Sequence, residues 1–160
     1  MQTGLNAVRH EAGRPYRILF LVAACFDMGL GLAFLVAAGP IFAWLGATAL
    51  PEPAYVHLVS GFIAAQGLGY ALVWRHLWRN VDLVWVGIVF KLVYIGAAVG
   101  SMLRGDLPHA MFAWFALIDA LFIVGFLLFL RTASEVQYQN RVASRSGMAL
   151  DPSVPWRRDG

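Results

Sequence analysis

Apolar residues in this chain do not alternate with polar ones; they run on. Four stretches, 18–39, 54–74, 81–103 and 110–130, are almost unbroken in aliphatic, aromatic and small residues. Each is about the 20 residues needed to cross the hydrocarbon core of a bilayer. A segment in lipid must satisfy its backbone polar groups internally, so runs of this length predict helices. The pattern therefore predicts an all-α integral membrane fold with four transmembrane helices. The second and third connections are short, which predicts an antiparallel bundle in which helices 2 and 3, and 3 and 4, are neighbours. The first connection, "PIFAWLGATALPEP", is too apolar for a hydrated turn. It is expected to form a short interfacial helix or a partly re-entrant segment over the mouth of the bundle.

The ends of the chain differ in kind from this middle. Residues 1–17 form a basic head, 18–131 the membrane domain and 132–160 a polar tail. Within the tail "ASEVQYQNR" is expected to extend the fourth helix, whereas "ASRSGMALDPSVPWRRDG" reads as flexible. A basic head before an apolar run also marks a signal peptide. This run is too long for that, and no small-residue cleavage site follows, so it is read as a retained helix.

Composition agrees with the pattern. The 160 residues are 60% hydrophobic and 13% charged. Soluble domains average about 45–50% apolar and about 25% charged, so a soluble class is excluded. The net charge of +3 and the isoelectric point near 9.4 do not call for nucleic acid, because the arginines sort by side. Ten of the eleven lie in the head, in the second connection or from Arg131 onwards; the other is Arg104 in the third connection. Positive residues favour the cytoplasmic side, which places both termini there. Tryptophan follows the same division, with Trp74, Trp78 and Trp85 at the inner interface and Trp44 and Trp114 at the outer one. The single cysteine, Cys25, lies within the first span and leaves no disulfide and no CxxC pair.

Against this apolar background four polar residues stand out. Asp27, Gln66, Lys91 and Asp119 each lie near the centre of a different span, hence at one depth. Lys91 is the only lysine in the chain. A charge at the helix centre costs about 2.5–3.5 kcal/mol on insertion scales, so such groups face the bundle interior and find partners. Lys91 is expected to pair with Asp119 on the neighbouring helix and with Asp27 across the bundle. Two carboxylates and one ammonium would leave a net negative charge in low dielectric, so the group is expected to share a proton. A buried lysine also gives up its proton where arginine does not.

The faces around these residues suggest a pocket. Tyr94 shares the face of Lys91; Phe112, Phe115, Phe122 and Phe126 share that of Asp119; Phe62, Gly69 and Tyr70 flank Gln66. A polar floor of Asp27, Gln66, Lys91 and Asp119, with Tyr70 and Tyr94 beside it, would suit a mostly apolar ligand or an exchangeable proton. Networks of this kind also serve only to fix helix register, and the residues leave both roles open. Small residues, Gly61, Ala65 and Gly69 on helix 2 and the pair Gly96 and Gly100 on helix 3, are expected to allow close helix approach.

Other chemistry finds little support. None of the four histidines, His10, His57, His76 and His109, lies at mid-depth, which argues against a haem held by paired histidines. His57 and His109 with Glu52 and Asp106 have no diagnostic metal spacing, so no metal site is assigned. There is no HExxH, no GxSxG and no glycine-rich phosphate loop. Ser60 lies near His57 in sequence but has no base at i+4, and reads as a packing hydroxyl.

The segments "FDMGLGLAFLVAAGPIFAWLG", "GFIAAQGLGYALVWRHLWRN", "GIVFKLVYIG" and "IDALFIVGFLLFL" together resemble the small bacterial four-helix membrane proteins of the DoxX-like group. The resemblance covers about residues 17–131. It implies a bacterial inner-membrane protein and, for some members, partnership with a membrane quinone-linked oxidoreductase. It carries no catalytic motif onto any residue here. The reading expected is a non-enzymatic accessory subunit or binding protein with a quinone- or lipid-like ligand. Its partners would be membrane lipids and other membrane subunits or further copies of itself. Two rivals are a proton-coupled exporter working as a dimer and a lipid-modifying enzyme using Lys91 and an aspartate as acid and base.

Overall fold

A computed structural model describes residues 2–47 and 52–145 of the chain. Residues 48–51 of the first connection and the 146–160 part of the tail lie outside the described residues. The described residues form four helices and no strand: α1 (Gln2–Leu45), α2 (Pro53–Arg75), α3 (Val81–Arg104) and α4 (Met111–Arg145). All four are long and apolar enough to cross a membrane.

The helices outrun the hydrophobic stretches where the sequence still tolerates helix. α1 starts at Gln2, well ahead of Ile18, and α4 continues through the polar "ASEVQYQNR" to Arg145. α1 also runs on through much of the first connection, but with a kink at Ala37 (φ −133°, ψ 30°). Its cause is Pro40, which lacks an N–H and crowds the carbonyl four residues before it. The short helical piece after the kink brings Phe42 back against the bundle. Phe42 packs with Val56 of α2 and Met111 of α4, and its ring meets Phe34 at 5.5 Å. α2 begins with Pro53 in the first turn, where a missing donor is harmless, and α3 stops at Gly105, whose φ of 73° suits a left-handed cap.

Packing is uneven along the bundle. One half, towards the α2–α3 connection, is filled by Phe20, Tyr70, Val73, Val84, Phe126 and Phe129. Phe20 stacks on Phe126 at 5.0 Å and meets Phe129 edge-on at 5.0 Å. Trp78 stacks on Phe129 at 5.7 Å, and the Tyr16 hydroxyl is 2.8 Å from the Thr132 hydroxyl, tying α1 to α4. The other half, towards the α1–α2 and α3–α4 connections, holds a cavity.

The closest helix approach is between α1 and α2. A Cβ at Gly31 would stand 2.5 Å from the Ala64 nitrogen, and one at Gly67 would stand 2.5 Å from the Met28 nitrogen. These are not the glycines expected to do this. A Cβ at Gly61 or Gly96 would meet nothing within 4 Å, one at Gly69 only the Gln66 side chain at 3.9 Å, and one at Gly100 only the Arg104 side chain. Gly67 falls two residues after Ala65 and two before Gly69, which turns it to a different face of α2 from the expected row.

Candidate functional site

Each charged residue of the midplane group sits on an otherwise apolar helix and turns inward because it has no other place to find a partner. On α3 the inward face is Val84, Gly87, Ile88, Lys91 and Ala98. Lys91 is 1% exposed, Asp27 on α1 is 3% and Asp119 on α4 is 8%. The Lys91 Nζ donates to Asp27 Oδ1 at 3.3 Å and to Oδ2 at 3.1 Å, and to Asp119 Oδ1 in a short contact. The ammonium also lies 5.0 Å from the centre of the Phe122 ring and 5.5 Å from that of Tyr70, where ring faces favour a cation. Three helices are thus joined at one charged point, with Lys91 as the bridge.

Above this point opens a cavity of about 180 Å³. Lys91, Asp27 and Asp119 form its floor, and its walls are mainly aromatic: Phe26, Phe34, Phe90, Phe112 and Phe115. Phe42, from the piece of α1 beyond the kink, and Tyr55 and Val56 at the start of α2 line its far end. Ser60 also lines it, but its hydroxyl is committed to the Val56 carbonyl at 2.6 Å, one turn back on the same helix.

The other residues expected at the site divide. Tyr94 lines the cavity, and its hydroxyl donates to the Phe112 carbonyl at 3.1 Å, tying α3 to α4. Tyr70 does not line it. Its ring is fully buried in the packed half, directly beneath Lys91, and its hydroxyl has no hydrogen-bond partner. Gln66 stays outside the charged group: it is half-buried beside the Tyr70 hydroxyl without completing a hydrogen bond to it. Phe122 and Phe126 are core rather than cavity wall. Phe42 and Tyr55 were not singled out from the sequence; the one signal for them was the unusual apolarity of the first connection.

No protein-family model, no curated protein and no solved structure matches this chain. Its chemistry therefore has to be read from its own side chains.

At the surface that chemistry is plain. His57 and Glu52 are exposed, and His109 accepts the Met111 backbone N–H at Nδ1, at 3.1 Å. Asp106 is paired with Arg104 at 2.9 Å, and this hydrogen bond holds its carboxyl below the usual range. Among the described residues no group of three histidine, cysteine or acidic side chains could hold a metal ion.

Proposed function

We propose that this protein is an integral inner-membrane accessory subunit or binding protein of a membrane assembly. It holds an apolar, quinone- or lipid-like ligand in the cavity over Lys91. The observation that carries this reading is the cavity itself, a mainly aromatic chamber whose charged groups are gathered at one end. Ligand sites commonly combine apolar walls with a few fixed polar groups. A void kept only for packing would have no reason to end on the three charges of the bundle.

In this reading the bundle is antiparallel with both termini in the cytoplasm, as the arginine asymmetry favours. The cavity then lies in the outer half of the membrane. The resemblance to DoxX-like proteins supports a bacterial setting and a redox-linked partner. Purification in mild detergent, with mass spectrometry of bound proteins and extracted lipids, tests the proposal. It expects an enriched amphiphile or quinone and a co-purifying membrane subunit. Recovery of the chain with only bulk lipid in bulk proportions would refute the binding role.

A further inference from the structure

Three of the four seams between neighbouring helices are bridged by side-chain or backbone contacts alongside the cavity. Gly31 lets α1 close against Ser60 and Ala64 of α2. The Tyr94 hydroxyl on the Phe112 carbonyl joins α3 to α4. Phe26 meets Phe115 at 6.2 Å and Phe122 at 5.9 Å, which bridges α1 to α4. The end of the bundle is covered in turn by Phe42 with Val56 and Met111.

The α2–α3 seam differs. Its tight contact, Tyr70 on Gly87, lies in the packed half, below the charged group. Beside the cavity its edge is formed by Tyr55 and Val59 of α2 and by Phe90 of α3. Tyr55 is 66% exposed and Val59 is 55% exposed although both line the cavity. Two residues that line the cavity on this side thus also present surface to what would be the hydrocarbon of the bilayer.

The floor adds a chemical restriction. The three donors of the Lys91 ammonium face three carboxylate oxygens. Only Oδ2 of Asp119 accepts no hydrogen bond, and it is not sealed from the cavity. With the shared proton on the more deeply buried Asp27, the vacant polar position at the floor is an acceptor, which calls for a donor on the ligand. With one shared proton the lysine ammonium balances the one remaining carboxylate, so a permanent anion or a permanent cation there would add unpaired charge to a buried, neutral group.

We infer that the cavity takes an uncharged long-chain amphiphile ending in a hydroxyl group, drawn from the bilayer between α2 and α3. Its hydroxyl donates to Oδ2 of Asp119, and its chain leaves past Val59. This rests on the binding role proposed above and narrows it to one class of ligand and one route.

The test uses the full chain in lipid nanodiscs, with benzoylphenylalanine in place of Val59, Phe112 or Val93 in turn. Val93, on α3, is 68% exposed and lies outside the cavity lining, so it reports ordinary contact with lipid. The probe is a long-chain alcohol with a terminal alkyne, crosslinked by light and detected through the alkyne. Thermal melting of each variant checks that it is folded. The expected result is labelling at positions 59 and 112 well above that at 93. Unlabelled alcohol should compete, and its methyl ether, which lacks the donor, should compete at least about tenfold more weakly, the discrimination that a hydrogen bond to a charged group provides. The matching alkyl sulfate and alkyl trimethylammonium should also compete weakly. Labelling at 112 with position 59 no higher than 93 would overturn the lateral route while leaving the binding role intact. A methyl ether, sulfate or ammonium that competes as well as the alcohol would overturn the ligand class. Labelling at neither 59 nor 112 above 93, in folded protein, would remove the binding role as well.

Discussion

Tyr70 of α2 fills the space that a side chain at position 87 of α3 would need. A Cβ added to Gly87 would lie 2.5 Å from the Tyr70 Cε1 atom and 2.7 Å from its hydroxyl oxygen. The ring is fully buried and cannot swing away. It forms the layer between the aromatic core and the charged group, since Lys91 sits over its face.

Gly87→Ala should therefore destabilise the bundle although alanine is the better helix former. Overpacking of this kind costs about 1–3 kcal/mol. The check is the detergent-solubilised melting temperature, which should fall. Unchanged stability would mean that α2 and α3 separate without penalty at this level.

The Tyr70 hydroxyl is buried without a partner. Removing an unsatisfied buried polar group relieves a desolvation cost, so Tyr70→Phe should leave stability unchanged or raise it by about 1 kcal/mol. Thermal or denaturant unfolding of the two proteins side by side decides this. A clear loss would show that the hydroxyl is bonded in the membrane, with Gln66 the adjacent candidate.

Lys91 and Asp119 should be strongly coupled. Breaking a buried ion pair by removing one partner costs about 3–5 kcal/mol, whereas replacing both with apolar groups is often mild. Lys91 keeps Asp27 as a partner when Asp119 is lost, so Asp119→Leu should cost less than that range. Lys91→Met leaves two carboxyl groups together and should cost more. The double variant should be milder than the sum of the single changes, as read from a double-mutant cycle. Strict additivity would contradict the contact.

Much of this arrangement was legible in the sequence because membrane burial writes it in one dimension. Hydropathy marks the four spans, and helical rise puts Asp27, Lys91 and Asp119 at one depth. Rotation about each helix is harder to read. Gln66 shares that depth yet is only half-buried and makes no hydrogen bond to the charged group, while Tyr70, one turn on, is fully buried beneath Lys91. In lipid every face of a helix is apolar, so small residues alone do not say which face meets a neighbour. That is why Gly31 and Gly67, not the row of Gly61 and Gly69 or the pair Gly96 and Gly100, make the close contacts. The cavity's far end was hidden for another reason. Phe42 reaches it only through the kink at Ala37, and proline in a sequence signals a bend without giving its direction.

The central claim is that the chamber above Lys91 holds a ligand, and the direct way to test it is to fill the chamber. Leu30 lines the cavity and is half-buried, so Leu30→Trp should occupy space that the bundle leaves open. The measurement is the amount of specifically enriched amphiphile, by mass spectrometry, recovered per mole of wild-type and Leu30→Trp protein in the same mild detergent, with melting temperatures alongside. The account predicts a folded variant, at most about 1–3 kcal/mol less stable, that has lost the enriched molecule. A folded variant that carries the same molecule in the same amount would contradict it.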